Sequence, residues 1–153
     1  MLAIERRSLV TAAADERMVG VAVRAFFGLA DQWRLTEGEQ MSLLGDISRG
    51  TLYVWKKDPP RRLGIEQLRT LSLLLGVHAL LVALFPNAPA TYMATRVRRP
   101  GPFWFMGERS LVDYALEGGN IALHRLREAL VAETGTEAGS DGAIDPFERA
   151  PSA

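Results

Sequence analysis

Apolar residues recur at helical spacing along most of this chain. Between Ala14 and Trp33, the residues Met18, Ala22, Ala25, Phe26, Leu29 and Trp33 mark an amphipathic helix, with Arg17, Arg24 and Asp31 turned outward. Residues 36–44 and 48–57 read as two short helices joined by a tight turn at Leu44-Gly45-Asp46. Thr36 and Glu39 have the spacing of a capping box, in which hydroxyl and carboxylate each satisfy an orphan backbone N–H. Ser48 is placed to cap the second short helix. Asp58-Pro59-Pro60 stops the chain, because neither proline donates a helix hydrogen bond. A long helix follows from Gly64 to Phe85, in which Ile65, Leu68, Leu71 and Leu75 form one stripe. From Leu73 onward it is apolar nearly all round, which demands cover on most sides from the bundle or from a second subunit.

Beyond Pro86 the pattern lapses. Pro89, Pro100 and Pro102, with Arg96, Arg98 and Arg99, give residues 87–102 the character of an irregular connection between two small lobes. Phe103, Trp104 and Phe105 then cluster ahead of Gly107. Ser110 caps a predicted helix that runs through Glu117, and Gly118-Gly119 ends it with residues free to take positive φ. Asn120 opens a last helix with Ile121, Leu123, Leu126, Leu130 and Val131 as its apolar positions. The expected organisation is therefore all-α. A flexible N-terminus over 1–13 precedes a helical domain over 14–86, a second lobe over 87–133 and a flexible acidic tail over 134–153.

Composition narrows the function. The 153 residues are 48% hydrophobic, ample for a core, and carry zero formal net charge. That zero hides an asymmetry. Arg49 to Arg69 holds six basic residues against Asp58 and Glu66, a balance of +4. Residues 96–109 add +3, and the stretch from Glu133 onward carries −4. With no cysteine, disulfides, thiolate metal sites and cysteine nucleophiles are all excluded. The opening residues lack the apolar run of a secretory signal, and the most apolar stretch, Leu71 to Phe85, is interrupted by His78. A cytoplasmic location with no membrane is the expectation. His78 and His124 stand 46 positions apart with no cysteine between them, so no metal site is expected. No serine has a His–Asp arrangement near it, and the glycine pair follows a helix and not a strand. The reading is of a protein without catalytic residues or cofactor.

The stretch from Leu35 to Lys57 carries the sharpest signal. On its second helix Leu52 and Trp55 lie three apart and share an inward face. Arg49, Thr51, Tyr53, Lys56 and Lys57 are left for the outward face, the arrangement a helix-turn-helix offers to a DNA major groove. Ser48, Arg49, Thr51 and Tyr53 are the candidates nearest the base edges. Lys56, Lys57, Arg61 and Arg62 are the candidates for phosphate contact and would set the salt dependence.

This helix-turn-helix is followed by RTLSLLLGVHALLVALFP (Arg69 to Pro86) and then by FMGERSLVDYALEGGNIALHRLREAL (Phe105 to Leu130). The ordered combination resembles the Xre, MbcA and ParS group of antitoxins, which pair with RES-domain toxins. The second part looks like that group's toxin-binding domain: a glycine before a short helix, a Gly-Gly pair, then a final helix with an arginine and leucine pattern. The resemblance spans roughly residues 15 to 133, with Ser110 standing where members often have proline. It implies an antitoxin that obstructs the active site of a toxin acting on NAD, either hydrolysing it or transferring its ADP-ribose. It also implies a homodimer through the N-terminal domain that represses its own operon by binding operator DNA. On this reading Phe103, Trp104, Phe105, Arg109 and Arg125 face the cognate RES toxin. Beyond the resemblance, Ile144 and Phe147 are apolar anchors in the acidic tail that could order on a partner and plug the toxin mouth. The rival reading is a stand-alone dimeric helix-turn-helix regulator, which needs no protein partner on residues 100 to 133.

Overall fold

A computed structural model describes residues 2–136, with side chains from Glu16 to Thr134 apart from Ala90. Six helices account for almost all of it: α1 (Leu2–Trp33), α2 (Glu37–Leu43), α3 (Arg49–Lys57), α4 (Ile65–Leu84), α5 (Ala90–Arg96) and α6 (Leu111–Thr136). A single 3-10 turn, Trp104–Met106, precedes α6. Among the described residues the one extended pairing is an isolated bridge between Pro100 and Ser110. The all-α expectation holds.

α1 starts at Leu2, not at Ala14. Residues 2–19 hold neither glycine nor proline and are rich in alanine, leucine, arginine and glutamate, so nothing in them opposes a helix. The buried side of α1 is Val19, Val23, Phe26, Leu29, Ala30 and Trp33, which keeps Phe26, Leu29 and Trp33 of the expected stripe and replaces its N-terminal part with Val19 and Val23. Met18 and Val21 are exposed (66% and 65%), and Ala25 lies on their side. The helix thus has two apolar faces, one buried and one exposed, which a simple apolar spacing does not separate.

The turn between α2 and α3 forms as the sequence implies. Thr36 Oγ1 accepts from Glu39 N–H at 3.1 Å, and Glu39 Oε1 accepts from Thr36 N–H at 2.9 Å. Leu52 is fully buried and Trp55 packs against the core beside it. Gly45 adopts φ +92°, and a Cβ there would meet Gln67 Nε2 at 2.8 Å, so both backbone and space require glycine. Gln67 uses that closeness: its Nε2 donates to Leu44 O at 2.7 Å, tying α4 to the turn.

α4 is the central helix. Leu71, Leu74, Val77, Leu81 and Leu84 are buried, and its most extensive pairing is with α6, then with α1. At 20 residues with mean hydropathy 1.6 it is long and apolar enough, by length and composition, to cross a membrane. Here its buried stripe is the core between α1 and α6. Its other side is left open within the chain: Ile65 is exposed, and so is Val82, in the stretch expected to be covered by the bundle or by a second subunit. His78 on α4 accepts at Nδ1 from the Trp33 indole N–H at 3.0 Å, which leaves Nε2 protonated in the neutral ring. Burial pushes the His78 pKa down.

Residues 87–102 do not form the irregular connection that the proline count suggested. Pro89 caps α5, whose Met93 and following Val97 are buried at i, i+4 spacing. Pro89 therefore starts a helix where it was read as breaking one. Nor do the residues on either side of position 86 keep separate cores. One continuous cluster runs from Val19 and Leu52 through Leu74 to Met106, Leu111 and Leu126, joining both expected lobes. Arg98 crosses the same divide. Its two guanidinium amino groups bind Glu39 Oε2 and Oε1 at 2.6 Å each, and Nη2 also donates to Arg34 O at 2.9 Å.

α6 breaks where the Gly-Gly pair predicted. Gly119 has φ 60°, ψ −142°, a conformation open essentially to glycine alone, and a second helical run continues from Asn120. Ser110 Oγ accepts from Asp113 N–H at 3.1 Å, the cap expected of it. Asn120 then fixes the break to α4: Thr70 Oγ1 donates to its Oδ1 at 2.6 Å, and its Nδ2 donates to Glu66 Oε2 at 3.0 Å.

Candidate nucleic-acid interface and partner face

Two surfaces collect the sequence-predicted site residues. The first is the outer side of α3. Ser48 caps the helix by accepting from Thr51 N–H at 3.1 Å, and its hydroxyl donates to Thr51 Oγ1 at 2.9 Å. Ser48 and Thr51 are thus engaged with each other at the N-terminus of α3. Arg49 and Tyr53 both reach Glu37, on the first turn of α2. Arg49 Nε lies 3.2 Å from Glu37 Oε2, and Tyr53 Oη donates to Glu37 Oε1 at 2.9 Å. That bond to a carboxylate raises the Tyr53 pKa. Lys57, Arg61 and Arg62 are exposed, as a phosphate-binding role requires. Lys56 is placed differently. Its Nζ sits 5.8 Å above the centre of the Phe27 ring, so it turns back over α1 and makes a cation–π contact.

The second surface lies on the 3-10 turn and α6. Phe103 and Phe105 stack at 5.5 Å with only 4° between planes, half-buried against the core. Phe105 also meets Tyr114 at 5.7 Å, and the Arg125 guanidinium lies 5.5 Å over its ring. Trp104 projects between them, edge-on to Phe105, and is 82% exposed. Of these three consecutive aromatics, Trp104 is the one that faces outward. Ile121, one helical turn before Arg125, is also 82% exposed, although it was read as a core position. Val131 is likewise exposed. Leu123, Leu126 and Leu130 define the buried stripe of this half of α6, and Ile121 stands roughly 200° round the helix from Leu123. Helical phase was the available signal. Arg109, at the edge of this region, pairs with Glu117 at 2.7 Å, both side chains about half exposed. Ile144 and Phe147 lie outside the described residues.

Between the two surfaces runs a polar seam that sequence reasoning did not identify. Glu37 at the α3 face, the Arg98–Glu39 pair and the Asn120 cluster all lack any short-range sequence signature, since their partners lie 12 to 59 positions away. Among the described residues no group of three metal-ligating side chains occurs.

The fold and the α3 face together define a helix-turn-helix protein, and residues 12–76 match the antitoxin Xre-like helix-turn-helix domain. The chain is also similar to "Uncharacterized protein y4oB" of Sinorhizobium fredii (strain NBRC 101917 / NGR234). The two are 34% identical over 121 residues, 79% of this chain and 90% of that protein. The protein belongs to the family of that relative, and its N-terminal half is an Xre-like antitoxin helix-turn-helix domain. No solved structure matches it.

Proposed function

We propose that this chain is the antitoxin of a type II toxin–antitoxin pair and neutralises a RES-domain, NAD-consuming toxin by binding over its active site. The observation that carries the partner face is the pair of side chains at 82% exposure: Trp104, edge-on to Phe105, and Ile121, one helical turn before the Arg125 that lies over the Phe105 ring. A tryptophan left in water near an arginine is the composition of an interface hot spot, and Ile121 adds exposed apolar surface. They lie beyond the residues matched to the helix-turn-helix domain, in the part of the chain free to serve a protein partner. The resemblance of Phe105 to Leu130 to a toxin-binding domain supports the choice of a RES-type partner.

The α3 face supports the second half of the proposal, repression of the chain's own operon in the cytoplasm. Homodimerisation fits the second apolar face of α1. Met18, Val21 and Ala25, with Leu68 and Leu75 of α4, line a groove of about 580 Å³ whose walls are almost wholly apolar. The 18, 21, 25 spacing is that of a helix–helix seam, which a second copy of the chain would cover.

The test is co-expression of the tagged chain with the product of the adjacent reading frame, followed by size exclusion with light scattering. The expected result is a stable complex and a partner lethal only when this chain is absent. Trp104→Ala with Ile121→Ala should abolish protection while the protein still folds. A chain that purifies alone and relieves no toxicity would leave the stand-alone regulator, for which the α3 face is the supporting observation.

A further inference from the structure

Glu37 is an anomaly on the α3 face. It is a carboxylate on a surface otherwise suited to a polyanion, and it engages the two long polar side chains best placed for base contact. Local structure accounts for it only in part, since a carboxylate in the first turn of α2 is favoured by the helix dipole but needs no partner on α3 for that. The cap of α2 is made by Thr36 with Glu39, and that of α3 by Ser48, so Glu37 satisfies no orphan backbone group there. Nor does stability account for it. Side-chain exposures of 67% for Arg49 and 41% for Glu37 make this a pair of the kind that contributes little to folding.

We propose that Glu37 is a specificity-determining residue. It orients Arg49 and Tyr53 for base edges and withholds Arg49 from indiscriminate phosphate contact. The inference rests on the DNA-binding reading of α3 and adds the residue that governs its selectivity. Arg49 is ion-paired to Glu37 on its Nε side, at 3.2 Å, which leaves the two terminal amino groups of the guanidinium on the side away from the carboxylate. Two donors on a fork that is already ordered suit a base edge with two acceptors, such as guanine O6 and N7. A phosphate approaching the same fork meets the Glu37 carboxylate as well, and that like-charge contact penalises it at every sequence. Tyr53, donating its proton to Glu37, presents only lone pairs outward and becomes an acceptor for cytosine or adenine amino groups. Phosphate binding is left to Lys57, Arg61 and Arg62, away from this carboxylate. Glu37 thus lowers affinity for all duplexes and lowers it least where the bases repay the fork. Discrimination arises from the repulsive element as much as from the attractive one.

The experiment uses the full chain and two duplexes: the DNA upstream of its own reading frame, and a shuffled duplex of the same length and composition. Affinities are measured between 0.05 and about 0.3 M salt for the wild type, E37Q, R49A and the double variant. E37Q should tighten binding to the shuffled duplex about threefold or more and steepen its salt slope by about one. The preference for the upstream duplex should fall about fivefold or more. In the R49A background the E37Q gain on shuffled DNA should largely vanish, because it acts through Arg49. An unchanged preference in E37Q, or an equal gain with and without Arg49, overturns the proposal while leaving DNA binding intact. If neither wild type nor E37Q binds either duplex, the DNA reading fails and the role of Glu37 fails with it. Binding by E37Q alone would support the withholding role at its strongest.

Discussion

Arg98→Met removes a guanidinium while keeping most of the aliphatic stem, and so isolates the contact that joins the segment after α5 to the start of α2. Arg98 holds both oxygens of Glu39 at 2.6 Å and the carbonyl of Arg34 at 2.9 Å. The side chains are 36% and 15% exposed. Fully exposed pairs contribute about 0–1 kcal/mol, and breaking a fully buried pair costs about 3–5 kcal/mol. A two-point contact with one partner mostly covered belongs between these, at about 2 kcal/mol. For a folded part of this size that is a fall in Tm of about 7 °C. Arg69→Met is the control, since its i, i+3 pair with Glu66 is well exposed and should cost no more than about 0.5 kcal/mol.

The pH dependence is a sharper test. The Arg98 hydrogen bonds hold Glu39 below its ordinary value of about 4.5, against the opposing effect of burial. A carboxylate depressed in the folded state contributes stability that is complete above the unfolded value and lost as pH falls through the folded one. The gap between wild type and Arg98→Met should therefore be full at pH 7 and should shrink steadily below about pH 4.5. Urea denaturation followed by circular dichroism at pH 7, 4.5 and 3 measures it. A gap under about 0.5 kcal/mol at pH 7, or one that persists undiminished at pH 3, would refute the argument.

Three further outcomes are expected. His78→Gln should remove a pH dependence from the melt. Burial depresses the His78 pKa below about 6.5, so wild-type stability is whole above that value and falls as pH drops below it, and the variant should lack that share of the slope. Gly119→Ala should cost about 1–3 kcal/mol by thermal melt although nothing lies within 4 Å of the added methyl, because the penalty is in the backbone. Val21→Arg, on the exposed face of α1, should convert a dimer to a monomer in light scattering with little change in secondary structure; an unaltered dimer would place the seam elsewhere.

What the sequence made legible was whatever depends on near neighbours. The capping box at Thr36 and Glu39, the Ser48 cap, the turn at Gly45 and the break at Gly119 all follow from local spacing and backbone freedom. The outward placement of Arg49 and Tyr53 followed equally from local arithmetic. Two failures came from phase. Met18 and Ile121 were counted with apolar neighbours lying on another side of the same helix, and a helix with two apolar faces defeats a simple count. A third came from reading Pro89 as a breaker when it opens α5. The unification of the expected lobes was not legible, because Arg98 finds Glu39 across 59 positions and no composition records that. Glu37 was missed for the same reason.

These long-range ties bear on how a partner could influence DNA binding. The α3 face and the Trp104–Ile121 face sit on one core, and polar contacts tie together the elements beneath them: Arg98 to Glu39, Gln67 to the Leu44 carbonyl, and Asn120 to Thr70 and Glu66. A ligand shifts a conformational equilibrium only by as much as it binds one state better than another. The obvious bend in this frame, Gly119, is fastened to α4 by its neighbour Asn120. Among the described residues, a partner seated on Trp104 and Ile121 therefore meets a bend that is already tied to α4, which opposes reshaping of α3 through it. Its influence on operator binding should come from linking or spacing copies of the chain along DNA, where effective concentration does the work without a new contact at α3. Hydrogen exchange on the complex tests this directly. Saturating partner should protect α6 and the 3-10 turn and leave the α3 amides unchanged, and a large change at α3 would show that the frame yields after all.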